Sequence, residues 1–141
     1  MPAPPLPEHI RSILALPNPC VLSCVRPDGQ PVSVATWYLV DGDQVMVNMD
    51  ESRARLRYLA QDPRVSLTVL HHEGWSTHVS LQGRIERMVP DDDLRDIDRL
   101  SQRYLGMPYR DRNRGRVTAW IAVTTWHAWG PLVKTRPLDR K

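Results

Sequence analysis

The sequence predicts an α+β fold, a barrel of about six antiparallel strands with three short helices. Three observations carry that expectation. Two turns with Asp-Gly at their centre, Pro27-Asp28-Gly29-Gln30-Pro31 and Asp41-Gly42-Asp43, separate three β-rich runs, as consecutive hairpins require. Later runs are rich in β-branched and aromatic residues and alternate at period two. The segments with helical spacing are short and bounded by proline or acidic caps. At 141 residues the chain makes one domain, with residues 1–7 and 131–141 expected as flexible tails.

The elements follow in order. Glu8 to Leu16 carries Ile10, Ile13, Leu14 and Leu16 near helical spacing and stops at Pro17. Pro19 to Arg26 alternates as a strand, with Cys20, Leu22 and Cys24 on one face. Val32 to Val40 is the second strand and Gln44 to Met49 the third. A helix from about Ser52 to Gln61 comes next, then a β-branched strand, Arg64 to Leu70. His71-His72-Glu73-Gly74 is a loop, and Trp75 to Met88 one long strand with a bend at Gly83. Pro90-Asp91-Asp92-Asp93 opens a helix to about Tyr104, whose buried stripe is Leu94, Ile97, Leu100 and Tyr104. After an arginine-rich loop, Arg116 to Trp129 is the closing strand; strict alternation puts Trp120 and Trp126 on one face and Trp129 on the other.

Composition narrows the function classes. The hydrophobic share is 41% and the charged share 25%, ordinary for a soluble globular chain. A net charge of +3 is mild, and part of it lies in Lys134, Arg136, Arg140 and Lys141. A nucleic-acid binder concentrates more charge among exposed aromatics, so no nucleic-acid partner is expected. No run approaches the ~20 apolar residues of a membrane span, and the proline-rich start is unlike a signal peptide, so a cytoplasmic protein without membrane contact is expected. Cys20 and Cys24 lie ~13 Å apart along one strand, too far for a disulfide, and read as reduced core residues. His71, His72, Glu73 and His78 offer no fixed ligand geometry, and no metal site is expected. Gly-rich phosphate loops and nucleophile–base spacings are absent.

The most informative stretch is Asn48-Met49-Asp50-Glu51-Ser52-Arg53-Ala54-Arg55-Leu56-Arg57. It is a strand end followed by a helix start, with arginines at alternate positions. Backbone N–H groups at a helix start favour an anion, and guanidinium forks there grip phosphate oxygens in pairs. The plainer alternative is a solvated arginine face. In a regular helix Arg53 and Arg57 share a face and Arg55 points away, so Arg53 and Arg55 can share one phosphate only if Arg53 precedes the helix. Arg53 is therefore expected at or before the helix start, with Asp50 or Ser52 as cap.

Five motifs stand in order: Arg26 to Pro31, Val32-Ser33-Val34-Ala35-Thr36-Trp37-Tyr38, Ser52 to Leu59 with Asp62-Pro63-Arg64-Val65, Gly74-Trp75-Ser76, and Val117 to Gly130. Taken together they resemble the split β-barrel flavin and deazaflavin oxidoreductases related to pyridoxamine 5′-phosphate oxidase, and among them the branch that uses coenzyme F420. The family often has Lys where Arg55 stands and Asn where Tyr58 stands. The resemblance implies a homodimer of split barrels with the cofactor in a groove at the interface. It implies that Ser33, Ala35, Thr36 and Trp37 line the cofactor ring, that Asn48 and Met49 approach it, that Arg53 and Arg55 hold the phosphate, and that Trp75 and Ser76 join from one subunit or the other. The activity implied is hydride transfer between F420 and a small organic acceptor. An FMN enzyme of the oxidase type, or a non-catalytic F420- or flavin-binding protein, are the alternatives. No catalytic side chain is assigned; Tyr38, His78 and Arg84 are weak candidates for supplying a proton. Arg57, Arg110, Arg112 and Arg114 could extend a basic trough for the longer F420 tail, and loops near Glu73 and Met107-Pro108-Tyr109 would meet the acceptor.

Overall fold

The structure is a computed structural model and describes residues 1–133. Its elements are α1 (Glu8–Leu14), β1 (Cys20–Val25), β2 (Pro31–Thr36), β3 (Leu39–Asp41), β4 (Gln44–Asp50), α2 (Arg55–Gln61), β5 (Arg64–Leu70), β6 (His78–Pro90), α3 (Arg95–Leu105) and β7 (Arg116–Trp129). The strands form one antiparallel sheet in the order β2-β1-β5-β6-β7-β4-β3. The expected α+β architecture is the one observed, with the second expected strand divided into β2 and β3.

The division has a tertiary cause. Tyr38 leaves the strand line and is fully buried, its hydroxyl donating to the carbonyls of Leu14 and Leu16, each at 2.9 Å. Two free edges result. Among the described residues no strand pairs with the outer side of β2, and β3 covers β4 only at Gln44–Met46. The barrel is thus split between β2 and the Val47–Asp50 half of β4.

The core lies inside the curled sheet. Leu22, Val45, Val47, Leu67, Val69, Val79, Leu81, Ala119 and Ile121 meet there, closed by Ile10 and Leu14 of α1 and Leu59 of α2. A second cluster lies outside it, where Ile97 and Leu100 of α3 cover Met46. Strand β4 is therefore buried on both faces, which explains its continuous apolar run. Arg103 ties α3 to α1 by donating to the carbonyls of Leu14, Ala15 and Leu16 at 3.0, 2.7 and 2.6 Å. Leu14 ends α1 and Ala15 and Leu16 follow it, so none of these carbonyls has a partner within the helix.

Three expectations need correction. Helix α3 begins at Arg95 rather than Pro90, because Pro90 ends β6 and the Asp91 carboxylate reaches forward to the N–H groups of Asp96 and Ile97 at 3.1 and 2.9 Å. Trp120 and Trp126 do not share a face. The ladder between β6 and β7 slips at Gln82/Gly83, leaving Thr124 without a partner, and the extra residue turns Trp126 toward the core while Trp120 faces outward. Residues 1–7 do not stand off as a tail: Leu6 is 3% exposed, its N–H bonds Asp43 at 3.1 Å, and Pro2 accepts the Trp126 N–H at 3.0 Å. At the other end Val133 closes a turn on Gly130, and the expected basic tail, residues 134–141, lies outside the described residues.

Candidate functional site

The slit opens into two contiguous cavities of about 520 and 310 Å³. The larger is walled by Trp37, Ile97, Leu100, Tyr104 and Tyr109. The smaller is polar and contains Met49, Asp50, Arg53, Arg55 and Arg114. Ala35, Thr36, Asn48, Tyr109 and Arg116 line both, so they mark the junction. Ser33 lies farther along β2, in a hollow shared with Arg53, Arg55 and Tyr58.

Arg53 sits where the spacing argument requires it. Helix α2 begins at Arg55, and Arg53 lies two residues before it. The cap differs from expectation. Asp50 accepts the Ser52 N–H at 2.8 Å and the Ser52 hydroxyl at 2.7 Å, closing a turn before the helix, while Ala54 at the helix start makes no side-chain cap. The two arginines are unlike others nearby. Arg64, Arg112 and Arg114 pair with Asp62, Asp98 and Asp50 at 2.6, 2.9 and 3.0 Å. Among the described residues no carboxylate lies within ion-pair distance of Arg53 or Arg55. Arg55 is half-buried, and its Nε is enclosed without an acceptor. Burial lowers the Arg55 pKa, and the charge of Arg53 lowers it further. Two neighbouring cations without acids, one carrying an orphaned buried donor, fit an oxyanion.

The pairing of Arg112 and Arg114 corrects the idea of a long arginine trough in the late loop. These side chains hold that loop onto α3 and β4. Arg112 grips Asp98 through two donors at 2.9 and 3.1 Å, and Arg114 bonds Asp50 at 3.0 Å. The bonds from Ser52 and Arg114 hold the Asp50 carboxyl well below the usual carboxylate range. Arg57 is solvent-exposed.

At the junction a buried polar network fixes the site. Asn48 is 7% exposed and Asp91 4%. The Asn48 amide donates to Asp91 and to the Thr118 hydroxyl, each at 3.1 Å, and that hydroxyl donates to Asp96 at 2.7 Å. With its NH2 group so committed, Asn48 turns its oxygen to Arg116, whose Nε donates to it at 2.7 Å. The Arg116 guanidinium also lies 4.8 Å from the centre of the Tyr109 ring. The aromatic wall is rigid: Trp37 and Tyr104 stack at 5.4 Å, with Tyr109 edge-on to Trp37 at 6.1 Å.

The structure thus brings Ala35, Thr36, Trp37, Asn48, Met49, Arg53 and Arg55 along one slit, with Ser33 in the adjoining hollow beside Arg53 and Arg55. Trp75 and Ser76 are exposed in the loop between β5 and β6 and line neither cavity. The weak proton donors fall elsewhere. The Tyr38 hydroxyl is spent on backbone carbonyls, His78 Nδ1 faces the Trp75 carbonyl at 3.3 Å, and Arg84 lies on the β5–β6 ladder opposite Arg64. Residues that sequence reasoning did not place in the site are Arg116, Tyr104 and Asp91, together with Ile97 and Leu100 as wall. Their only sequence signal is indirect, through the pairing of the late strand with β4 that sets Asn48 opposite Thr118.

Comparison with known proteins agrees with this fold. The pyridoxamine 5′-phosphate oxidase family model matches residues 6–130. Among solved structures, a protein described as an F420 reductase is 28% identical with a TM-score of 0.77, the alignment covering 86% of this chain and 98% of that one. A conserved hypothetical protein from Mycobacterium tuberculosis is 23% identical with a TM-score of 0.68, covering 90% of this chain and 86% of the other. General Stress Protein 26 from Bacillus anthracis is 21% identical with a TM-score of 0.64, covering 88% and 93%. The last two show the fold alone. No curated protein sequence matches the chain.

Proposed function

The chain belongs to the pyridoxamine 5′-phosphate oxidase family, and on that premise we propose that it is an F420-dependent reductase of a small organic acceptor. The observation that carries this reading is the pair Arg53 and Arg55, without acid partners, at the polar end of a slit whose other end is aromatic and apolar. A molecule with a phosphate at one end and a flat heteroaromatic ring at the other matches that gradient. The structural neighbour described as an F420 reductase supports the choice of cofactor.

Each part of the chain then has a task. Arg53 and Arg55 bind phosphate oxygens, and filling the acceptor shell of Arg55 Nε removes a buried unsatisfied donor. The unpaired edges of β2 and β4 offer backbone groups to the polar rim of the ring, with Ser33, Ala35, Thr36 and Met49 setting the width of the slit. When bound, the deazaflavin supplies hydride transfer. Trp37, Tyr104 and Tyr109 form an aromatic wall that suits a planar acceptor. Tyr104 bonds the Asn18 carbonyl at 2.8 Å, which holds its ring in place. A homodimer would cover the slit and could bring Trp75 and Ser76 of a second copy to it.

One observation favours FMN instead. With Arg112 and Arg114 bound to Asp98 and Asp50, the cations left for an anionic tail are few, which suits a single terminal phosphate. Titrating the purified protein separately with F420 and FMN, and following fluorescence, decides between them. Tighter binding of F420 with acceptor reduction upholds the proposal. Tighter FMN binding replaces it with the oxidase-type reading, and F420 binding without turnover on a broad acceptor panel replaces it with a carrier role.

A further inference from the structure

We propose that Arg116 makes this site prefer the reduced form of its cofactor, by holding the negative charge that the ring acquires when it takes up a hydride. The inference rests on the reading of the slit as a deazaflavin or flavin site and goes beyond it, because the phosphate-binding arginines cannot supply this preference: the phosphate has the same charge in both redox states.

Three observations point to Arg116. It lines both cavities, the polar one that holds Arg53 and Arg55 and the one walled by Trp37 and Tyr104, so a molecule spanning the two lies against it. It is charged and lacks a counter-ion: among the described residues no carboxylate comes within 4.0 Å of its guanidinium. It is also held from behind. Its Nε is fixed on Asn48 at 2.7 Å, and Asn48 can offer only its oxygen there because Asp91 and Thr118 take its NH2 group. Asp91 is itself fixed by the N–H groups of Asp96 and Ile97. One Nη1 donor makes a long contact of 3.5 Å with the Tyr109 hydroxyl, and the other Nη donors have no protein acceptor among the described residues. A chain of hydrogen bonds thus fixes, from its Nε side, a guanidinium that lines both cavities.

The charge balance is simple. The oxidised ring is neutral at its pyrimidine-dione part. Addition of a hydride, two electrons and a proton, leaves a ring that carries one negative charge on its nitrogen–carbonyl edge until it is protonated. A fixed cation beside that edge stabilises the product of uptake more than the starting ring. Because the guanidinium donates planar, paired N–H groups, it matches adjacent carbonyl and nitrogen acceptors in a way that an ammonium does not.

The test compares dissociation constants for oxidised and chemically reduced cofactor, measured anaerobically on wild type, Arg116→Gln and Arg116→Lys. The ligand is whichever of F420 and FMN the wild type binds. Wild type should bind the reduced form more tightly. Arg116→Gln should weaken binding of the reduced form by roughly ten- to a hundredfold more than binding of the oxidised form, and Arg116→Lys should keep part of the preference. A tenfold loss corresponds to a bound-cofactor potential about 30 mV more negative. An unchanged preference in Arg116→Gln, or an equal loss of affinity for both redox forms, overturns the assignment while the cofactor reading stands. Failure of the wild type to bind either cofactor overturns both.

Discussion

Arg55 is the side chain whose removal should move stability and binding in opposite directions. In the free protein its Nε is enclosed without an acceptor, and its charge stands beside that of Arg53 with no carboxylate within ion-pair distance among the described residues. An unsatisfied buried donor costs about 1–3 kcal/mol, and partial exposure of the guanidinium to solvent reduces that to about 1 kcal/mol or less. Arg55→Met keeps an unbranched apolar side chain at the start of α2 and removes both the orphaned donor and the like-charge contact. The unliganded protein should therefore melt at the same temperature or up to about 3 °C higher. With a phosphate in place the balance reverses. A charge-assisted hydrogen bond contributes about 1.5–3 kcal/mol, so the variant should bind FMN or F420 roughly ten- to a hundredfold more weakly. Thermal melts of the free protein and fluorescence titrations of the same preparation measure the two halves. Loss of stability with unchanged affinity would refute the reasoning, since it would make Arg55 a packing residue of α2.

Other expectations follow from single contacts. Gly83→Ala should destabilise by about 1–3 kcal/mol in denaturant titrations, because a Cβ there meets Ile121 Cγ2 at 2.9 Å and presses on the Ala122 backbone at the bulge. Arg103→Met should cost about 1–2 kcal/mol, since the Ala15 carbonyl loses its side-chain donor while those of Leu14 and Leu16 keep the Tyr38 hydroxyl, and a melt within 1 °C of wild type would contradict this. Cys20, whose thiol burial pushes up to about 12, and Cys24, raised by the same cause, should resist an aromatic disulfide reagent at neutral pH until the protein is unfolded. The Asp98–Arg112 clasp lowers the Asp98 pKa, so its contribution is present above the ordinary carboxylate range and is lost as pH falls through the lowered value. Amide exchange in the loop after α3, normalised for its intrinsic pH dependence, should accelerate in acid before the sheet does.

The strands were legible because turn chemistry and period-two alternation act within a few residues. What escaped the sequence was set by contacts distant along it. Trp37 and Tyr38 are both good strand formers, yet the strand breaks there because carbonyls at the end of α1 take the Tyr38 hydroxyl. The start of α3 depends on a carboxylate reaching forward five and six residues, and the facing of Trp126 depends on a bulge that no local composition announces. The site divides in the same way. Arg53 and Arg55 could be read because a strand-to-helix junction is local. Arg116 could not, since it reaches Asn48 across 68 positions of chain.

That division says where the site comes from. A closed barrel would satisfy every strand edge and leave no slit. Here the burial of Tyr38 draws the chain out of β2, so β3 covers only the first half of β4 and the Asn48 half stays open. The opening falls where β4 runs into the turn bearing Arg53, so one break in the ladder sets the open edge beside the unpaired cations. The same break requires support, because an uncovered Asn48 next to a charged groove would be mobile. Helix α3 supplies it from behind: Asp91, which stabilises the helix start, is also the acceptor that holds the Asn48 amide. Replacing Asp91 by Ala would therefore reach Arg116 through Asn48. It should speed amide exchange at the junction residues as well as at the start of α3, which separates a shared support from a simple helix cap.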